Sequence, residues 1–262
     1  MGNPWADNIG SWLKESERYM LKEDQKVLDS KNLTEKFELK LLPEPYIGNL
    51  DAPIYLLNLN PSVEDLLFLP DPEEIKPLKS RLKSHMICNY LFYENKNEWI
   101  KCNEYLKFKF YHLDPEYKYF QGFWWWYRKL KKLLEELQKD NKLYDSFKIA
   151  ANSLFNVEYM PYHSKKYINI GCRLPSQEFN FGLVETALKE DKIIIIMKGK
   201  EQWTQAIAGL EGHSKVYTLN SHQNSVISEK NLSTINGKEV GDADFKCLIK
   251  TMQDASKADQ SS

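Results

Sequence analysis

No apolar run in the 262-residue chain approaches the roughly 18 residues needed to cross a bilayer. The first residues also lack the basic, apolar and small-residue succession of a secretory signal. Glycine is scarce, with 11 residues, and neither Gly-x-Gly-x-x-Gly nor Gly-x-x-x-x-Gly-Lys occurs. Such turns bring bare backbone against phosphates, so their absence argues against a nucleotide-cofactor enzyme. No Gly-x-Ser-x-Gly elbow is present, which disfavours a Ser–His–Asp hydrolase. The four cysteines, at 88, 102, 172 and 247, form no Cys-x-x-Cys pair. That spacing speaks against structural zinc and iron–sulfur clusters, and a reduced, cytoplasmic protein is expected. A net charge of −1 disfavours indiscriminate coating of nucleic acid but permits a local basic groove.

What is present is an alternation of apolar runs and amphipathic segments. Ile54 to Asn60 is short, apolar and β-forming, then turns polar before Pro61. It reads as a buried central strand that the proline ends. Further strands are expected over Asn156 to Tyr162, Lys192 to Lys198 and Lys215 to Leu219. Helical segments are expected at about 123–139, 178–190 and 201–209, so the reading is an α/β fold of parallel βαβ units. Phe123, Trp126, Tyr127, Leu130, Leu133, Leu134 and Leu137 share one helical face, leaving Trp125 toward solvent near Lys129 and Lys132. Residues 1–40 read as a helical cover, with a helix from Asn8 to about Leu28. Residues 41–253 read as the α/β domain, entered by a proline-punctuated loop over 41–49, and residues 254–262 as a disordered tail. Ser62 and Asp65 have capping-box spacing, and Asp71 also suggests a helix start.

Open α/β sheets place ligands at the carboxyl ends of their strands. Those ends would collect Asn58, Asn60 and Ser62; Tyr162, His163 and Ser164; Lys198 and Lys200; and Asn220, Ser221, His222, Gln223 and Asn224. Residues 161–173 carry Lys165, Lys166 and Arg173 without an acid, and residues 212–224 carry His213, Lys215 and His222 without an acid. Positive charge gathered on one edge suits phosphate contacts, while a merely solvated rim explains it equally well.

The Asn58-Leu59-Asn60-Pro61-Ser62 turn resembles the first motif of the uracil-DNA glycosylase superfamily, nearest to its Gly-x-Asn-Pro-Gly form. Ser221 to Ser228 is similar to the second motif, a loop opening on His or Asn after the last strand. Leu154 to Lys166 is similar to the intervening strand of bacterial members, and the resemblance spans about residues 40 to 230. It implies a three-layer αβα fold with a four-stranded parallel central sheet. It also implies a monofunctional DNA glycosylase that flips a base and hydrolyses its N-glycosidic bond, leaving an abasic site. By motif position Asn60 would orient the attacking water and His222 would stabilise the departing base. Asn58, Ser62, Tyr162 and His163 would shape the base pocket, and Phe68 or Tyr46 would supply the stacking face. Ser164, Lys165, Lys166, Lys198, Ser221, Gln223 and Asn224 would contact DNA.

The resemblance calls for no metal or organic cofactor and implies a monomer whose partner is DNA. The catalytic turn holds no lysine, so no Schiff-base lyase step is expected. Asn58 and Ser62 replace the motif glycines, and Gln223 follows His222 where the uracil enzymes have proline. A pocket altered in this way points away from plain uracil and toward a modified or damaged pyrimidine, such as a glucosylated 5-hydroxymethylcytosine of phage DNA. A catalytically idle DNA-binding member and a nucleoside or nucleotide hydrolase are the alternatives.

Overall fold

The computed structural model describes residues 2–12, 18–63, 76–91, 105–221 and 225–260. Six strands occur among them: β1 (Tyr46–Gly48), β2 (Ile54–Asn58), β3 (Leu154–Glu158), β4 (Ile193–Ile196), β5 (Val216–Leu219) and β6 (Leu232–Thr234). They form one sheet in the order β1-β3-β2-β4-β5-β6. The pairs β3–β2, β2–β4 and β4–β5 are parallel, and the edge strands β1 and β6 are antiparallel to β3 and β5. The sheet is therefore six-stranded and mixed, where the sequence suggested four parallel strands. The difference lies in two three-residue edge strands too short to show a period.

Strand β2 lies at the centre, and all five of its residues are buried, as are all five of β3. Such two-sided burial explains why Ile-Tyr-Leu-Leu-Asn and Ile-Ile-Ile-Ile read as continuous apolar runs instead of alternating. The register places Asn58 opposite Glu158 at the mouth of the β2–β3 pair. Strand β3 stops at Glu158, four residues before Tyr162, because the chain turns away through Met160 and Pro161.

The helices among the described residues are α1 (Pro4–Asp7), α2 (Ile9–Trp12), α3 (Lys22–Ser30), α4 (Lys76–Leu91), α5 (Gln121–Leu137), α6 (Leu143–Ser153), α7 (Gln177–Lys189), α8 (Lys200–Ala206) and α9 (Asp242–Gln260). The expected single helix from Asn8 to Leu28 is broken, since Tyr19 and Leu21 leave helical geometry and plug the core instead. The expected disordered tail is helical to Gln260, because α9 is anchored by buried Phe245, Leu248 and Met252. Ala255 and Lys257 are helix formers that carry it onward. One apolar cluster runs from Trp5 to Met252, so residues 1–40 share the core of the main domain. No described helix is long and apolar enough to cross a membrane. Cys88 is disulfide-bonded, while Cys172 and Cys247 are free. The expectation of an all-thiol protein is thereby corrected, since lack of Cys-x-x-Cys spacing says nothing about pairing over longer separations.

Gly48 is the one residue type its position allows. Its φ is +114°, and a Cβ there would collide with the carbonyl oxygen of Leu154 on the paired strand. Gly48→Ala should therefore cost at least about 1 kcal/mol, read as a lower urea midpoint with unchanged slope.

Candidate functional site

The carboxyl ends of β2 and β3 open into a cavity of about 110 Å³. Asn58, Asn60, Pro61 and Ser62 line one side, and Glu158 and Lys198 line the neighbouring strand ends. Helix α5 covers it with Gln121, Gly122, Trp125, Trp126 and Arg128, and Glu44 and His112 reach in from connecting segments. The site thus sits where strand-end reasoning placed it, with contributors from segments that reasoning did not use.

Asn60 is held by its amide nitrogen. Nδ2 donates to the carbonyl of Pro61 at 3.1 Å, to the carbonyl of Ser164 at 3.1 Å and to Ser164 Oγ at 3.0 Å. Its Oδ1 has no hydrogen bond among the described residues and remains available as an acceptor. Ser164 is itself buried and donates to the Lys166 carbonyl at 3.0 Å, so it is a positioning residue for Asn60 and not an exposed DNA contact. Lys165 and Lys166, next in the chain, are exposed.

A chain of amides and a carboxyl crosses the strand ends on the cavity side. Asn58 Nδ2 donates to Asn156 Oδ1 at 2.8 Å, and Asn156 Nδ2 donates to Glu158 Oε1 at 2.9 Å. Asn58 Oδ1 and Glu158 Oε2 are left buried with no hydrogen-bond partner among the described residues. The Asn58 backbone is pinned from behind, its carbonyl accepting from Tyr159 N at 3.0 Å and Trp203 Nε1 at 3.0 Å. Burial pushes the Glu158 carboxyl up to about 8, reinforced by Glu44 and opposed by the Asn156 bond and Lys198. It is therefore a neutral acid at pH 7. Burial alone would raise Glu44 as well, but the charge and hydrogen bond of His112 at 3.4 Å and the charge of His163 hold Glu44 below the usual carboxylate range. Two carboxyl groups in one cavity thus occupy opposite protonation states.

The cationic side is built on α5. Lys129 and Lys198 lie 5.2 and 5.7 Å from the Trp125 ring centre. Burial, with Lys198 and Arg128 nearby, lowers the Lys129 ammonium. Arg128 also lines a second, shallower cavity with Ser221, Lys131, Lys132 and Lys230. Lys131 and Lys132 are partly neutralised by Glu135, whereas Arg128 and Lys198 have no ion pair among the described residues.

Several expected site residues lie elsewhere. Tyr162 faces away from the cavity, buried with its hydroxyl donating to Asp24 Oδ2 at 2.7 Å. His163 is buried between the carbonyls of Ser62 at 2.5 Å and Leu42 at 2.9 Å, so it braces the Asn60 turn from behind. Tyr46 is packed in the core against Phe155 and accepts from Asn3 Nδ2, so it offers no stacking face. His213 and Lys215 precede β5, at the opposite end of the sheet, and pair with Asp191. Arg173 is bonded to the Ala206 carbonyl and paired with Glu178. Phe68, His222, Gln223 and Asn224 fall outside the described residues, as do Asp65 and Asp71. Trp125 is half-buried over the cavity, and among the described tryptophans it is Trp124 that is most exposed.

Glu158 was discoverable in principle. In Leu154-Phe155-Asn156-Val157-Glu158 two polar residues share one face of a strand that is otherwise all apolar, an arrangement that needs a polar partner. Glu44 and His112 are 68 residues apart, and no local pattern joins them. Compared with protein-family models, with curated proteins and with solved structures, the chain matches none.

The Glu158 geometry has a consequence for stability. A carboxyl neutral in the folded state and ionised in the unfolded one stabilises the fold fully below about pH 4.5, and this is lost as pH rises to about 8. Glu158→Gln should remove that slope, which is roughly 1.4 kcal/mol per pH unit inside the window. Urea midpoints of both proteins should therefore diverge from pH 5 to about 8 and run parallel beyond it, with the variant relatively more stable at the alkaline end.

Proposed function

We propose that the chain is a monofunctional DNA glycosylase acting on a flipped pyrimidine, modified or damaged, and leaving an abasic site. The observation that carries the reading is the cavity at the mouths of β2 and β3, with the Asn60 amide locked through its nitrogen and an aromatic wall opposite. On this reading β3, β2, β4 and β5 are the four-stranded core of a three-layer αβα fold of the uracil-DNA glycosylase kind, and β1 and β6 are additions at its edges. The cavity volume of about 110 Å³ lies below the roughly 150 Å³ of a cavity that holds benzene, which limits an occupant to a single ring. A sugar carried on the base, as in glucosylated 5-hydroxymethylcytosine, would project from the mouth.

In this mechanism Trp125 takes the stacking role that Tyr46 and Phe68 were expected to fill. Asn60 Oδ1 accepts from a water and aims its oxygen at C1′. An amide is too weak a base to remove the proton outright, so the work is orientation while the sugar gains oxocarbenium character. His222, by its motif position, would stabilise the leaving base. Lys198 and Arg128, with exposed Lys165 and Lys166, supply cations for the flanking phosphates, and no cofactor takes part.

Asn60→Ala should lower abasic-site formation by about 10²-fold or more while changing the unfolding free energy from urea melts by no more than ~1 kcal/mol. The assay is alkali cleavage of DNA carrying uracil, deaminated bases or phage-type modified cytosines. No cleavage on any of these substrates would refute the enzymatic reading. Tight binding without base release would point to an idle DNA-binding member, and release from free nucleosides with no effect of DNA context would point to a nucleoside hydrolase. Arg128→Ala should weaken DNA binding and reduce the slope of log affinity against log salt by about 1.

A further inference from the structure

Two buried oxygens, on residues that line the cavity, have no hydrogen-bond partner among the described residues, and their chemistry is complementary. Asn58 is 3% exposed and Glu158 5%, and the register sets them side by side on β2 and β3. Asn58 Nδ2 is engaged with Asn156 and lies 4.0 Å from the Met197 sulfur, a weak acceptor, which leaves Oδ1 unpartnered on a residue that lines the cavity. Glu158 Oε1 is engaged as an acceptor by Asn156 Nδ2, so the acid proton belongs on Oε2, the unpartnered oxygen of a second cavity-lining residue. Leaving two such atoms buried and unpaired is unfavourable, and a ligand edge that bonds both would relieve it.

We propose that Asn58 Oδ1 and Glu158 Oε2 together read one edge of the bound ring, and that this edge is an aminopyrimidine edge: an exocyclic amine beside an unprotonated ring nitrogen, as on cytosine. The amine donates to Asn58 and Glu158 donates to the ring nitrogen. Uracil presents the inverse pattern, setting a carbonyl against Asn58 Oδ1 and an N–H against the acid proton. Adenine offers the same edge as cytosine but on a two-ring base, which the cavity volume disfavours. The neutral state of Glu158 fits this role, because its ionised form could only accept. The charged and titratable groups that face it are Glu44 before β1, His112 on the turn Tyr111–Leu113, Arg128 on α5 and Lys198 after β4. The inference rests on the base-excision reading for its biological occupant, but the edge assignment can be tested without catalysis.

The test is binding of free cytosine, uracil and adenine to the full chain, followed by saturation-transfer NMR with competition from pH 6 to 9. Cytosine should bind roughly tenfold or more tightly than uracil or adenine at pH 6.5. Its affinity should fall about tenfold by pH 9, as Glu158 loses its proton, since cytosine itself does not titrate there. Glu158→Gln keeps a donor on the same atom and should retain the cytosine preference while flattening the pH profile. Glu158→Leu should lose the preference, and if it does not fold, the parent profile and the Gln variant still decide. Equal binding of cytosine and uracil, a preference for uracil, or a flat parent profile would each overturn the assignment. Base release from DNA combined with any of those results removes the edge assignment alone. The predicted binding pattern without base release from any DNA removes the glycosylase reading alone.

Discussion

The parallel pairing of β2 on both its edges is the constraint on which the site depends. Ile54–Asn58 is bonded to β3 on one side and β4 on the other and is covered on both faces. Its last residue therefore has no freedom to swing. The Asn58 carbonyl is fixed by the Tyr159 amide and the Trp203 indole, and Met197 N bonds back to Leu57. Gly199, with φ at +75°, lets the start of α8 press against Leu59, where any side chain would collide. Between these restraints the five-residue turn from Asn58 to Ser62 is presented as a rigid ledge, and a rigid ledge is what preorganised chemistry requires.

The polar lining follows from that rigidity. Where a strand is buried to its end, polar side chains must be satisfied by one another, and Asn58, Asn156 and Glu158 do this across the sheet. The arrangement consumes one donor or acceptor of each outer side chain and leaves Asn58 Oδ1 and Glu158 Oε2 unpartnered among the described residues. Desolvation then sets protonation: Glu158 neutral, Glu44 charged against His112. The electrostatic character of the site is thus a product of burial, and the near-zero net charge of the chain conceals it.

The central strands were legible because burial on both faces writes an unmistakable apolar run, and α5, α7 and α8 were legible from their spacing. Helix α4 was not: His85 and Asn89 are buried beside Leu82, Met86 and Tyr90, so its inner face is not apolar in pattern. Strand β1 hides in a proline-rich stretch, since an edge strand of three residues has no period to display. In the site, Asn58, Asn60, Ser62 and Lys198 followed from the rule about strand ends. Tyr162 and His163 did not, because β3 leaves the sheet before Met160 even though the sequence stays apolar. Trp125, Arg128, Glu44 and His112 depend on how separate segments pack, which no local pattern encodes.

The brace behind Asn60 reaches further than the cavity. Ser164 follows directly on Tyr162 and His163, and Tyr162 is tethered to helix α3: its hydroxyl donates to Asp24 and accepts from the Leu21 amide at 3.2 Å. Asp24 also takes the Ser176 amide at 3.1 Å, tying both ends of the 162–176 excursion to one carboxylate. The opening thirty residues therefore act as a keystone for a loop more than a hundred positions downstream. Those residues also pack into the single shared core, so the support of the Asn60 turn and the packing of the sheet are one structure.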